Sequence, residues 1–243
     1  MGTGVSLDVP AANNEQIFER VFKLLEDIDE RFSTYKQDSE LSKYQRGEIK
    51  ESGLSPDMRV VKKACEEYEK ITNGYFSAYF DAKFDPTGYV KGWAIAQAGQ
   101  LLERARYKTF CISIGGDILA RSDGSKEWAV GIQNPTDKEK ILNTLSIFSG
   151  AIATSGNYER GHHIVNPKTG QPADELLSVT VVGPDIITAD VLATSVFAAG
   201  KSGIKLVKRQ KNYEALIIDK SGLVFLSQGM DGLLNYSRGN NRS

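Results

Sequence analysis

Apolar positions along the chain change period several times, and each change marks an element. In VSLDV, starting at Val5, apolar and polar residues alternate as in a strand. Ile17, Val21, Leu24, Ile28 and Phe32 then recur at helical spacing, with Phe18 and Leu25 widening the stripe. That pattern predicts a helix capped by Asn13 or Asn14. A polar loop runs to Gly53. Ser55 then offers a second cap, with Pro56 at the first helical position. Met58, Val61, Cys65, Tyr68 and Ile71 form the apolar face of this helix, and Asn73-Gly74 ends it. A third helix is expected over residues 91–106.

The second half reads differently. TFCISI, EWAVGIQ, GAIATS, HHIVN and LLSVTVVG are rich in β-formers and separated by turn residues, so each is expected as a strand. TADVLATSVFAAG has helical character, with Thr188 as its cap and Gly200 just past its end. A short basic helix, EALIID and LVFLS follow. Long helices beside antiparallel-looking strands predict an α+β protein, not a doubly wound one. No repeat or linker divides the sequence, so one domain over residues 1–243 is expected.

Composition narrows the function classes. Thirty basic and 31 acidic side chains nearly cancel, leaving a formal net charge of −1. Charge therefore gives no reason to expect nucleic acid or an anionic membrane as partner. No apolar run has the length of a membrane span. MGTGVSLDVP lacks a basic region followed by an apolar stretch, so no signal peptide is read. A cytoplasmic location is expected, with a trimmed exported form as the alternative. Cys65 and Cys111 each sit in an apolar pattern without a partner at metal-binding spacing, and read as buried free thiols.

Five stretches can carry chemistry. In TADVLAT, Asp190 and Thr194 are four apart and share one helix face. A carboxylate and a hydroxyl are hard oxygen donors, suited to Mg²⁺, although an Asp in a first helical turn also suits the helix dipole. In FDPTGYVKGWA, Asp85 and Lys91 flank a turn that opens a helix. Such an end can receive phosphate or can simply start the helix. SIGGDILA places two glycines after a strand, for a plain turn or for close approach to a ligand. SGNYERGHHIVNPKTG holds the only two histidines, His162 and His163. On a strand they point to opposite faces, so one can act as a base at a site the other does not face. RFSTYKQDSELSKY is polar, with Tyr35 free to stack on a planar ring or to sit in a solvated loop.

Taken in order, MGT, RFSTYKQDSELSKY, TNGYF, DPTGYVKGWA, ISIGGDI, AIATSGNYERGHHIVNPKTGQPA, SVTVVGPD and TADVLATSVFAAG closely resemble the ApbE family, the FAD:protein FMN transferases. The resemblance runs from Met1 to about Gly200. It implies a T-fold-related architecture and Mg²⁺-dependent transfer of the FMN half of FAD to a Ser or Thr hydroxyl of an acceptor flavoprotein, with release of AMP. It also implies that Asp190, Thr194 and the Gly88 carbonyl hold the metal. Met1, Tyr35, Tyr75, Phe76, Ser77, Asp85 and Lys91 are then FAD contacts, and His163 is the base that activates the acceptor hydroxyl.

Three departures stand out. Only YFSAYFDAKF separates the TNG and DPTGYVKG blocks, where relatives carry several tens of residues. Asn166 stands where Asp is usual, and DPTG replaces a Leu-Gly-Gly-like turn. These features keep two alternatives open: an FAD pyrophosphatase giving FMN and AMP, and a non-enzymatic FAD-binding protein.

Overall fold

The computed structural model describes residues 3–12, 15–80, 83–156 and 164–235. Fourteen strands and six α-helices are assigned there. The chain opens with β1 (Val5–Asp8), followed by helices α1 (Gln16–Phe32), α2 (Glu40–Gln45) and α3 (Pro56–Ile71). A small hairpin of β2 (Tyr79–Phe80) and β3 (Lys83–Phe84) leads into helix α4 (Thr87–Arg104). Then come β4 (Phe110–Ile114), β5 (Asp117–Arg121), β6 (Trp128–Asn134), β7 (Asp137–Ile147) and β8 (Gly150–Gly156). The hairpin of β9 (Val165–Asn166) and β10 (Gln171–Pro172) precedes β11 (Leu176–Gly183). Helices α5 (Ile186–Ala199) and α6 (Ile204–Lys208) and strands β12 (Glu214–Asp219), β13 (Val224–Leu226) and β14 (Leu234–Asn235) complete it.

A seven-stranded antiparallel sheet, in the order β1-β4-β5-β8-β11-β12-β13, organises the rest. Alternate residues of each strand face opposite sides, and both sides are dry. Ala151, Ala153, Val179, Val181, Ala215 and Ile217 face the helices and join the core of α1, α3, α4 and α5. Their neighbours Ile152, Val182, Leu216 and Ile218 face the other way, onto a three-stranded sheet in the order β14-β7-β6. The fold is thus three layers: helices, large sheet, small sheet. This is the expected α+β class, with antiparallel pairing throughout the assigned sheets.

Local rules explain most boundaries. Ser55 Oγ accepts the Met58 amide at the start of α3, and Pro56 follows it. Asn73 and Gly74 end that helix with φ of 54° and 77°. Gly115 and Gly116 turn β4 into β5 with φ of 56° and 84°, so the Gly-Gly pair serves a tight hairpin. Cys65 is buried and Cys111 half-buried, both as free thiols.

Some expectations need correction. Helix α4 starts at Thr87 rather than Lys91, because the Tyr89 and Val90 amides already donate to the Pro86 carbonyl, at 2.8 and 2.9 Å. Asp185, not Thr188, caps α5. Its carboxylate accepts both the Thr188 amide, at 2.8 Å, and the Thr188 hydroxyl, at 2.9 Å. The polar loop after α1 contains the short helix α2, capped by Ser39. Strand β7 was not expected. Asn13 and Asn14 lie outside the described residues.

Candidate active site

Helices α4 and α5 cross on the large sheet, and the crossing gathers the polar groups. Gly92 allows the close approach: a Cβ there would stand 3.1 Å from Ile187 Cα and 3.2 Å from Asp190 Cβ. In a helix the Gly92 amide points at the carbonyl of Gly88, four residues earlier. Here it also donates to Asp190 Oδ2 at 3.0 Å. The Gly88 carbonyl and the Asp190 carboxylate therefore converge on one amide. Gly92→Ala is expected to push α4 from α5. We expect a cost of about 1–3 kcal/mol from overpacking, larger than the roughly 1 kcal/mol gained in helix propensity. A urea unfolding curve shifted to lower denaturant checks it.

Lys91 stands beside Gly92 and reaches between two carboxylates. Its Nζ lies 2.6 Å from Asp117 Oδ2 and 3.4 Å from Asp190 Oδ1. Asp117 opens β5 and is wholly buried, and Asp190 is 2% exposed. The second oxygen of Asp117 accepts the Thr154 amide at 3.1 Å. Its Oδ2 has no directed hydrogen bond, so the Lys91 ammonium is an ion-pair partner rather than an aligned donor. On the next position of β8, Ser155 Oγ lies 3.1 Å from Thr194 Oγ1. Residues from α4, α5, β5 and β8 thus meet in one place.

Two carboxylates share one ammonium, and the shifts follow. Burial works against the Lys91 charge, but Asp190 and Asp117 outweigh it and hold the ammonium above the ordinary lysine range. The Lys91 side chain keeps 26% of its surface exposed while its charged end is enclosed. Burial and then the Asp190 charge push the Asp117 carboxyl up to about 7, against the pull of Lys91. A carboxyl raised in the fold binds a proton that the unfolded chain has released. Its contribution to stability is therefore full below about pH 4 and is lost as pH rises through about 7. In the presence of chelator, the unaltered chain should lose more stability between pH 5 and pH 8 than Asp117→Asn, which carries no titrating carboxyl there. Urea midpoints at the two pH values check this.

The remaining residues singled out from the sequence lie apart from this cluster or beyond view. Asp85 accepts the Thr87 amide at 3.0 Å, at the mouth of α4. Phe76 is buried, and its ring lies 3.3 Å from where a Cβ on Gly88 would stand, so it backs the turn. Ser77 Oγ accepts the Tyr79 amide. Tyr75 carries the Lys168 ammonium 4.1 Å above its ring. Tyr35 is 92% exposed on the connection from α1 to α2. Met1, His162 and His163 lie outside the described residues.

Asn166 has a clear local task. Its side-chain carbonyl accepts the Lys168 amide at 2.9 Å, and its backbone carbonyl accepts the Gly170 amide at 2.9 Å. An amide oxygen closes this turn as well as a carboxylate would. Sequence reasoning missed Asp117 and Ser155. The signal for Asp117 was a lone carboxylate between Gly-Gly and the apolar run ILA.

Among the described residues no cluster of three His, Cys, Asp or Glu side chains forms a metal site. An oxygen site here would instead use one carboxylate, one hydroxyl and one backbone carbonyl. Among them, too, no helix is long and apolar enough to cross a membrane.

Comparison with known proteins agrees with this architecture. The family model described as ApbE family matches residues 1–82 and 78–217. The two matches meet at the β2–β3 hairpin, where the intervening segment is short. The chain is 31% identical over 144 residues to the FAD:protein FMN transferase of Escherichia coli K12, covering 54% of this chain and 41% of that protein. It is 24% identical over 284 residues to the FAD:protein FMN transferase of Haemophilus influenzae, covering 89% and 82%. The chain thus spans about two fifths of the first of these relatives. In fold it is similar to the ApbE protein of Thermotoga maritima, with a TM-score of 0.81, 24% identity and 97% of each chain covered. The flavin transferase ApbE of Vibrio cholerae also gives 0.81, at 23% identity and 96% of each chain.

Proposed function

Because this chain belongs to the ApbE family, we propose that it transfers the FMN half of FAD to a Ser or Thr hydroxyl of an acceptor flavoprotein. The acceptor oxygen attacks the FMN phosphorus, the bridging P–O bond of the pyrophosphate breaks, and AMP leaves. The hydroxyl proton goes to a base, for which His163 is the candidate from sequence.

The observation that carries this reading is the cluster at the α4–α5 crossing. Attack on a pyrophosphate needs negative charge neutralised and groups held in line. Asp190, Thr194 and the Gly88 carbonyl offer hard oxygens for Mg²⁺, and the buried excess of carboxylate over ammonium favours a cation there. Bound Mg²⁺ would supply charge neutralisation at the phosphates. Gly92 holds one oxygen of Asp190 and orients the carboxylate. Ser155 holds the Thr194 hydroxyl. Lys91 supplies a cation to the nucleotide phosphates, and Asp85 stands at the mouth of α4 where the nucleotide would enter. Tyr35, Tyr75 and Ser77 are candidate flavin contacts, together with Met1. Phe76 is a further candidate FAD contact, and its buried ring also backs the Gly88 turn.

The test is chromatography of the nucleotide products. With FAD, Mg²⁺ and an acceptor, AMP should appear without matching free FMN. Equal AMP and FMN without any acceptor would make the chain an FAD pyrophosphatase. Bound FAD with no product would make it a carrier.

A further inference from the structure

Lys91 is placed to do more than meet phosphate. Its ammonium lies between two buried carboxylates, 2.6 Å from Asp117 Oδ2 and 3.4 Å from Asp190 Oδ1. The closer partner, Asp117, has no other group on that oxygen, while Asp190 already has the Gly92 amide on Oδ2. The hold on Asp190 is therefore the weaker and more dispensable of the two. The oxygen that Lys91 touches, Oδ1, is also the one that Gly92 leaves open to a cation.

We propose that Lys91 is a resident counter-ion for Asp190, exchanged for the divalent cation and kept in place by Asp117. This rests on the reading of Asp190 as a metal ligand. Without a divalent cation the ammonium offsets the buried carboxylate. When the cation is bound, the ammonium withdraws to Asp117. No bond to carbon or phosphorus changes. Asp117 acts as a positioning residue, because it sets how firmly Lys91 competes for Asp190.

The consequence is unusual for a lysine in a substrate site. Removing it should tighten metal binding, because a competing charge a few ångströms away disappears. Removing Asp117 should do the reverse, since the ammonium then has only Asp190.

The experiment is a Mn²⁺ titration followed by electron paramagnetic resonance, without FAD, on the full chain. Lys91→Gln should bind Mn²⁺ about tenfold tighter than the unaltered chain, and Asp117→Asn about tenfold weaker. Circular dichroism confirms that each variant is folded, and the two variants move the reading in opposite directions. Lys91→Gln binding as the unaltered chain does, or more weakly, overturns the proposal, as does Asp117→Asn binding unchanged. In those cases Asp190 can still be the ligand, provided Asp190→Ala abolishes binding. Mn²⁺ binding indifferent to Asp190→Ala removes both the ligand assignment and the exchange.

Discussion

Replacing Asp190 by alanine should lower the transfer rate at least about 10²–10³-fold, the scale of losing one preorganised electrostatic contact to a transition state. The fold should survive. Removing one member of a buried ion pair is normally strongly destabilising, because the partner charge is left alone. Here Asp117 remains 2.6 Å from Lys91, so the deletion leaves a neutral pair. The cost that remains is the second acceptor lost to the Gly92 amide, about 1 kcal/mol. Asp190→Asn restores an acceptor there but not the charge. It should recover stability without recovering activity. Rate and urea midpoint measured together separate the two roles, and a variant with wild-type rate would remove Asp190 from the chemistry.

The second large effect concerns His163. A general base is worth about 10²–10⁴-fold, so His163→Ala should lose that much in turnover. FAD affinity should change little, because the base proposed here would act on the acceptor hydroxyl and not on the nucleotide. His162→Ala is the internal comparison. The sequence pattern reads HHIVN as a strand, where neighbours point to opposite faces, so only one of the two should show the loss. Quenching of flavin fluorescence reads affinity, and product formation reads turnover. Equal losses in both variants, or loss of folding in His163→Ala, would point to packing instead.

The sequence revealed much of this fold, for physical reasons. The large-sheet strands read clearly where both faces are dry, as in LLSVTVVG, where nearly every position is buried and the run is rich in β-formers. The α1 stripe read clearly because its other face meets water. Strand β7 was hidden. Its first half, DKEKI, belongs to a ribbon that extends past the core, and Ile141 and Leu142 are exposed there. No burial pattern marks such a segment. Likewise α2 has only six residues and one apolar anchor, Leu41.

The candidate site was legible in pairs but not as a whole. Asp190 and Thr194 share a helix face by spacing alone. That Lys91 would meet Asp190 depends on Gly92, whose missing side chain lets two helices touch. Asp117 is contributed by a strand between them in space, and no local pattern announces a buried carboxylate's partner. Asn166 went the other way. It keeps the turn-forming role open to Asn or Asp at that place, and its side chain closes a hairpin turn.

Covalent transfer of flavin to protein is the central step proposed for this chain. The most direct measurement is intact mass spectrometry of an acceptor flavoprotein after incubation with this chain, FAD and Mg²⁺, with peptide mapping of the adduct. One FMN-sized addition on a Ser or Thr side chain is expected, absent when Asp190→Ala replaces the unaltered chain. An acceptor left at its original mass while FAD is consumed to free FMN and AMP would contradict it.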